Sequence, residues 1–136
     1  MTPELTPDET HAVLHLVEGL QADYRSELHG IVLYGSKARG DATAESDIDV
    51  LVILSDANWQ QGHDVSDIAT TLSLDHDVLL MPHVVSLAQW QAMAAAPFSF
   101  FREVFRDGWP VYGAPEVLAP LARAHETPLA DTAATA

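Results

Sequence analysis

The sequence predicts an α/β (α+β) fold, a small mixed β-sheet flanked by helices. Two short apolar runs, "GIVLYG" (Gly30 to Gly35) and "IDVLVIL" (Ile48 to Leu54), read as strands, the second too apolar to leave one face wet. They alternate with segments of helical periodicity, the pattern of strands covered by helices. The chain has 136 residues, 48% of them hydrophobic, enough for one domain around an ordinary core.

The first helix starts at "TPDE": Thr6 caps, Pro7 suits the first helical position and Glu9 completes a capping box. Val13, Leu16, Val17, Leu20, Tyr24 and Leu28 recur at near-helical spacing, which carries the helix to about Leu28. The two strands follow. Trp59 to Leu72 is a second helix with Val65, Ile68, Ala69 and Leu72 on one side. Asp77 to Ser86 reads as a third strand, with Pro82 demanding a bend, bulge or edge position. Ser86 caps a helix through "LAQWQAMAA", Pro97 interrupts it, and "FSFFREVFRDG" makes another closed by Gly108. Composition then turns to Ala, Pro and Thr, which predicts a short docked helix near Glu116 to Ala124 and a frayed end. The expected organisation is one domain over 1–113, its core motif over 30–85, followed by a docked helix and flexible tail over 114–136.

Charge narrows the function. Six Lys and Arg stand against 20 Asp and Glu, a formal net charge of −14. Such a chain repels nucleic-acid backbone, which argues against broad DNA or RNA binding. A polyanionic ligand would need divalent cations or a local basic cluster. There is no cysteine, so disulfides and thiolate metal sites are excluded. No signal-peptide apolar region opens the chain, and its longest aliphatic run, Val50 to Leu54, is too short to span a bilayer. A soluble, cytoplasmic protein is expected.

The chemistry concentrates in "GSKARGDATAESDIDVLV", Gly35 to Val52. Asp47 and Asp49 stand at i and i+2, so on a strand they share one face about 6.6 Å apart, at roughly 3.3 Å per residue. Two carboxylates held so repel each other, and a hard cation relieves them; Mg²⁺ binds through one or two carboxylates plus substrate phosphates. A lone Asp-x-Asp is usually just a polar strand entry. Here Gly35 and Ser36 end the preceding strand, where glycine admits close approach to phosphate and serine adds a hydroxyl to the turn amides. Lys37 and Arg39, two of the six basic residues, lie where a nucleoside triphosphate would need them. This is not a P-loop, because Asp41-Ala42 follows Gly40.

Together, Gly35-Ser36-Lys37-Ala38-Arg39-Gly40 and Ser46-Asp47-Ile48-Asp49-Val50 resemble the nucleotidyltransferases of the DNA polymerase β superfamily, and short chains of this build resemble its minimal members. The resemblance runs from about Leu28 to Gly113, including "FFREVFRDGWPVYG" as a closing helix and turn. It implies a polymerase β-type nucleotidyltransferase fold and a Mg²⁺-dependent transfer of NMP, AMP from ATP above all, onto a hydroxyl. Asp47 and Asp49 would hold two Mg²⁺ ions with the bound NTP, and Gly35, Ser36 and Lys37 the phosphates. For Arg39, phosphate contact and bracing of the loop against acid both stand open. The family takes a third carboxylate from a neighbouring strand. Asp75 and Asp77 are the candidates, and Asp77, leading directly into "VLLM", is favoured by strand alternation as catalytic residue and metal ligand.

Larger relatives that modify small molecules carry a further helical domain for the acceptor. Only about 23 residues follow Gly113, too few for one. The resemblance therefore implies a protein acceptor, with the chain as antitoxin of a helical HEPN-type toxin that it adenylylates. The alternative is an idle nucleotide-binding antitoxin or scaffold that neutralises its partner by stoichiometric binding. His11 and His15, at i and i+4, read as a surface or partner-facing pair rather than a zinc site.

Overall fold

The computed structural model describes residues 3–43, 47–96 and 99–134, without the side chains of 99, 100 and 132–134. Ser46, Pro97 and Phe98, and the sequence expectations resting on them, lie outside the described residues. Helix α1 spans Pro7–Tyr24 with the expected capping box: Thr6 Oγ1 accepts from the Glu9 amide, and Glu9 Oε1 accepts from the Thr6 amide. It stops at Tyr24 rather than near Leu28. A 3-10 turn, Arg25–Glu27, intervenes, and Leu28 already begins strand β1, Leu28–Tyr34. Arg25 takes a positive φ of 51°, which breaks the helical path that periodicity alone would continue.

Strand β2, Ile48–Leu54, keeps its predicted limits. Helix α3, Trp59–His76, runs a turn further than expected, after the four-residue α2, Ser36–Arg39. Its extension shortens strand β3 to Leu80–Ser86. Helices α4, Leu87–Ala95, and α5, Ser99–Asp107, follow; Ser86 caps α4 as predicted, and Gln89 completes a capping box with it. Strand β4, Trp109–Gly113, takes the place of the expected closing turn. Helix α6 is only Pro115–Leu118, shorter than predicted, and α7 is Leu129–Ala134.

The sheet order is β3-β2-β1-β4, with β1 antiparallel to β2 and β4, and β2 parallel to β3. It is the predicted mixed sheet. Pro82 lies on the outer strand β3, as its missing amide requires. Strand residues alternate between two cores. Leu33, Val50 and Val52 meet α1 and α3 through Val13, Leu16, Leu20, Val65 and Ala69, with Ile48 in the same layer. Val32, Leu51, Ile53 and Val85 meet Trp90, Met93, Val104, Leu118 and Leu121 on the other face.

The chain after Gly113 is anchored to these layers. Leu118 and Leu121 are buried, the Ala122 amide donates to the Phe105 carbonyl at 2.8 Å, and the Arg123 guanidinium lies 5.2 Å from the Trp109 ring centroid. Leu129 and Ala130 pack on the first core. Among the described residues, no helix is long and apolar enough to cross a membrane.

Candidate active site

Asp49 is the second residue of β2 and Asp47 immediately precedes the strand. Alternation gives both the face of Leu51 and Ile53. Asp49 is half-buried, and its burial, then the neighbouring Asp47, push its carboxyl above the usual carboxylate range; Arg39 pulls the other way. Asp49 pairs in register with Tyr34 on β1, whose phenol is likewise pushed up by burial and by Asp49.

Gly35, just beyond Tyr34, closes against this pair. Its φ of 76° and ψ of −159° belong to a region that other residues reach only with strain. A Cβ there would also run into the Asp49 carboxylate. The chain then turns into α2, where the Gly35 carbonyl accepts from the Ala38 and Arg39 amides, each at 3.1 Å. The amides of Ser36 and Lys37 open the helix and have no acceptor within it. Gly40, at φ 86°, ends it in the left-handed conformation. The Gly35-Ser36 turn and the Asp47-Asp49 pair thus lie against each other.

The structure corrects two sequence expectations. Lys37 is buried, and its Nζ sits 2.8 Å from Glu9 Oε2 and donates to the Thr43 carbonyl at 3.2 Å. Its charge is engaged in tying α2 to the start of α1, where phosphate contact had been expected of it. Glu9 was read only as a capping residue; one of its oxygens caps α1 while the other meets Lys37. No spacing rule would have announced that partnership, 28 positions apart.

The second correction concerns Asp77. It does not enter the third strand but caps the C-terminus of α3 in the left-handed conformation, φ 53° and ψ 49°, exposed and three residues ahead of Leu80. Asp readily takes that conformation, and Ser73 completes the stop: its carbonyl accepts from the Val78 amide and its hydroxyl from the Leu80 amide. Asp75 is still in the helix. Neither residue therefore shares a strand face with Asp49. The register sets Met81 beside Asp49 and His83 beside Leu51. Among the described residues, no group of three or more His, Asp or Glu side chains is arranged to hold a metal ion.

Arg39 is exposed, its Nε 3.3 Å from Asp41 Oδ2, while its charge reaches Asp49. Its pairing with Asp41 is one of the two roles left open for it. His15, on α1, meets His76 of α3 at 3.0 Å between ring nitrogens, a contact its spacing from His11 did not announce.

Comparison with known proteins bears on this site. Residues 20–116 match the family described as "Polymerase beta, Nucleotidyltransferase". A protein of Methanocaldococcus jannaschii named "Putative protein adenylyltransferase" is 34% identical over 105 residues, 77% of this chain and 99% of that protein. A crystal structure of a toxin-antitoxin with AMP-PNP superposes with a TM-score of 0.54 and 20% identity, over 82% of this chain and 83% of that one. The toxin-antitoxin MntA-HepT gives a TM-score of 0.50 at 18% identity, over 92% and 84%. At these identities the solved structures show a shared fold. The match over most of the chain and the archaeal relative establish more: this chain is a member of the polymerase β nucleotidyltransferase family.

Proposed function

We propose that the chain transfers AMP from ATP to a hydroxyl on a partner protein and serves as the antitoxin of a pair with a helical HEPN-type toxin. The observation that carries the reading is the Gly35-Asp49 contact, which brings a phosphate-type turn against two carboxylates on one strand face. The relative named for protein adenylylation supports a protein acceptor, and the toxin-antitoxin neighbours support the biological setting.

The residues fit Mg²⁺. Asp47 and Asp49 offer hard oxygen donors, and Asp49 is held above its usual range by burial and a like charge, a strain that a bound cation relieves. Two protein carboxylates with the remaining ligands from phosphates suit this ion. Bound there, Mg²⁺ would neutralise phosphate charge and favour ionisation of the acceptor hydroxyl. The protein's own part is positioning. Ser36 and the first amides of α2 would hold the triphosphate, with Gly35 leaving room for it. Arg39 keeps a positive charge near Asp49 while braced by Asp41. In the transfer the acceptor oxygen bonds to the α-phosphorus, the bond to the bridging oxygen breaks, pyrophosphate leaves, and the hydroxyl proton passes to a base.

One observation favours a second reading, a nucleotide-binding antitoxin that masks its partner without transfer. The β3 position beside Asp49 carries Met81, which can neither accept a proton nor bind Mg²⁺. Asp77 would have to come from the end of α3 to supply that carboxylate. The test is incubation with ATP labelled at the α-phosphate and the protein encoded beside this gene. Label on the partner with wild type but not with Asp49→Ala supports transfer. An unlabelled partner that is nonetheless neutralised overturns it in favour of masking.

A further inference from the structure

Two large apolar side chains, Leu79 and Met81, are exposed beside the acid pair, by 50% and 45%. Leu80 packs into the α1 and α3 layer, so alternation along β3 turns Met81 to the opposite face, which Asp47 and Asp49 share; Leu79, just ahead of the strand, sits beside the β2 entry, its carbonyl accepting from the Ile48 amide at 2.8 Å. The α4 and α5 layer meets this face at Val85. The sheet order gives the two flanks of Asp49 different characters. On one side lies β1 with the Gly35-Ser36 turn, and on the other, outer side lies Met81.

We propose that Leu79 and Met81 form the acceptor-docking edge of the site and receive an apolar protein segment flanked by lysine or arginine. The inference rests on the transferase reading above and specifies its acceptor. With the phosphates on the β1 flank, the acceptor approaches from the β3 flank. The β3-side positions nearest the acid pair are Leu79 and Met81, with His83 further along the same face; Leu and Met gain by burial, and Met adapts to an irregular partner. Asp75 and Asp77, both exposed just ahead of Leu79, together with the net charge of −14, favour basic flanks.

The experiment uses fluorescein-labelled peptides with a central tyrosine between leucines and terminal lysines. Companion peptides replace the lysines with glutamates or the leucines with serines. Binding is read by anisotropy with Mg²⁺ and a non-hydrolysable ATP analogue, for wild type, Leu79→Ser, Met81→Ser and Trp59→Ser. The leucine-lysine peptide should bind wild type about tenfold more tightly than either companion, and each β3-edge substitution should cost about tenfold. Trp59→Ser should change nothing; Trp59 is 80% exposed but lies beyond the far end of β2. Equal binding of all peptides, no binding, or indifference to both β3-edge substitutions overturns the docking edge. Melting with Mg-ATP, measured on the same samples, separates the two claims. A rise with indifferent peptides sinks the docking edge alone. No rise sinks the transferase reading, while a peptide preference that persists keeps the surface as an interface.

Discussion

Gly35 and Asp49 fit together only because residue 35 has no side chain: a Cβ there would run into the Asp49 carboxylate. The backbone at Gly35 is also in a glycine region, so the end of β1 and the entry to β2 are matched twice over. The Gly35-Ser36 turn and the acid pair are in this sense one structure.

Gly35→Ala is the sharpest local perturbation of that match. It should cost about 1–3 kcal/mol of stability from backbone strain, with Asp49 displaced in addition. Chemical denaturation measures the first effect and Mg-ATP titration of the folded protein the second. A variant with unchanged stability and unchanged nucleotide affinity would contradict the geometry.

Asp49 makes a pH-dependent contribution whose sign follows from its raised carboxyl. The folded protein holds this proton more tightly than the unfolded chain. Stability therefore falls as pH rises from the ordinary carboxylate value, about 3.9, to the raised one, and the loss is complete above it. Without Mg²⁺, Asp49→Asn should be more stable than wild type at neutral pH, and the two should converge below about pH 3.9. Solvent screening of a half-exposed group keeps the difference below about 1 kcal/mol. With Mg-ATP the order should reverse, because only wild type gains from the ligand. Melting curves across pH, with and without Mg-ATP, read both.

Lys37 should matter to the fold before it matters to the nucleotide. Its ion pair with Glu9 is almost wholly buried, so Lys37→Ala or Glu9→Ala alone strands one charge and should cost about 3–5 kcal/mol. The double variant Lys37→Met with Glu9→Gln removes both charges and should recover more than half of that loss. Urea denaturation of wild type, the two single variants and the double variant makes the comparison. A Lys37→Ala protein of normal stability but weakened Mg-ATP binding would instead restore the phosphate role.

The legibility of this chain varied with how local each determinant is. The capping boxes at Thr6 and Ser86, the limits of β2 and the edge position of Pro82 follow from neighbouring residues, and the sequence contains all of them. Strand β4 was missed because Pro110 and the glycines around Trp109 mimic a turn; its pairing with β1 includes an irregularity between Ile31 and Val32 that accommodates it. The placement of Asp47 and Asp49 on one strand face, with Gly35 beside them, was legible because strand alternation and glycine chemistry act over a few positions. Asp77 was misplaced because α3 wins one further turn through Ser73, whose hydroxyl serves the Leu80 amide, a competition between helix and strand that periodicity does not resolve. The Lys37–Glu9 pairing was not legible because the two residues meet only once the start of α1 comes up to α2.

The central claim, that Gly35-Ser36 and Asp47-Asp49 form a single Mg-nucleotide site, is tested most directly by calorimetric titration of ATP with and without Mg²⁺. Wild type should bind Mg-ATP, lose affinity at least about tenfold when the metal is chelated, and gain about 2.7 kcal/mol of stability at one hundred times Kd. Gly35→Ala and Asp49→Ala should each lose that binding while remaining folded. Mg-ATP binding of equal strength in wild type and both variants, or none in wild type, would contradict the account.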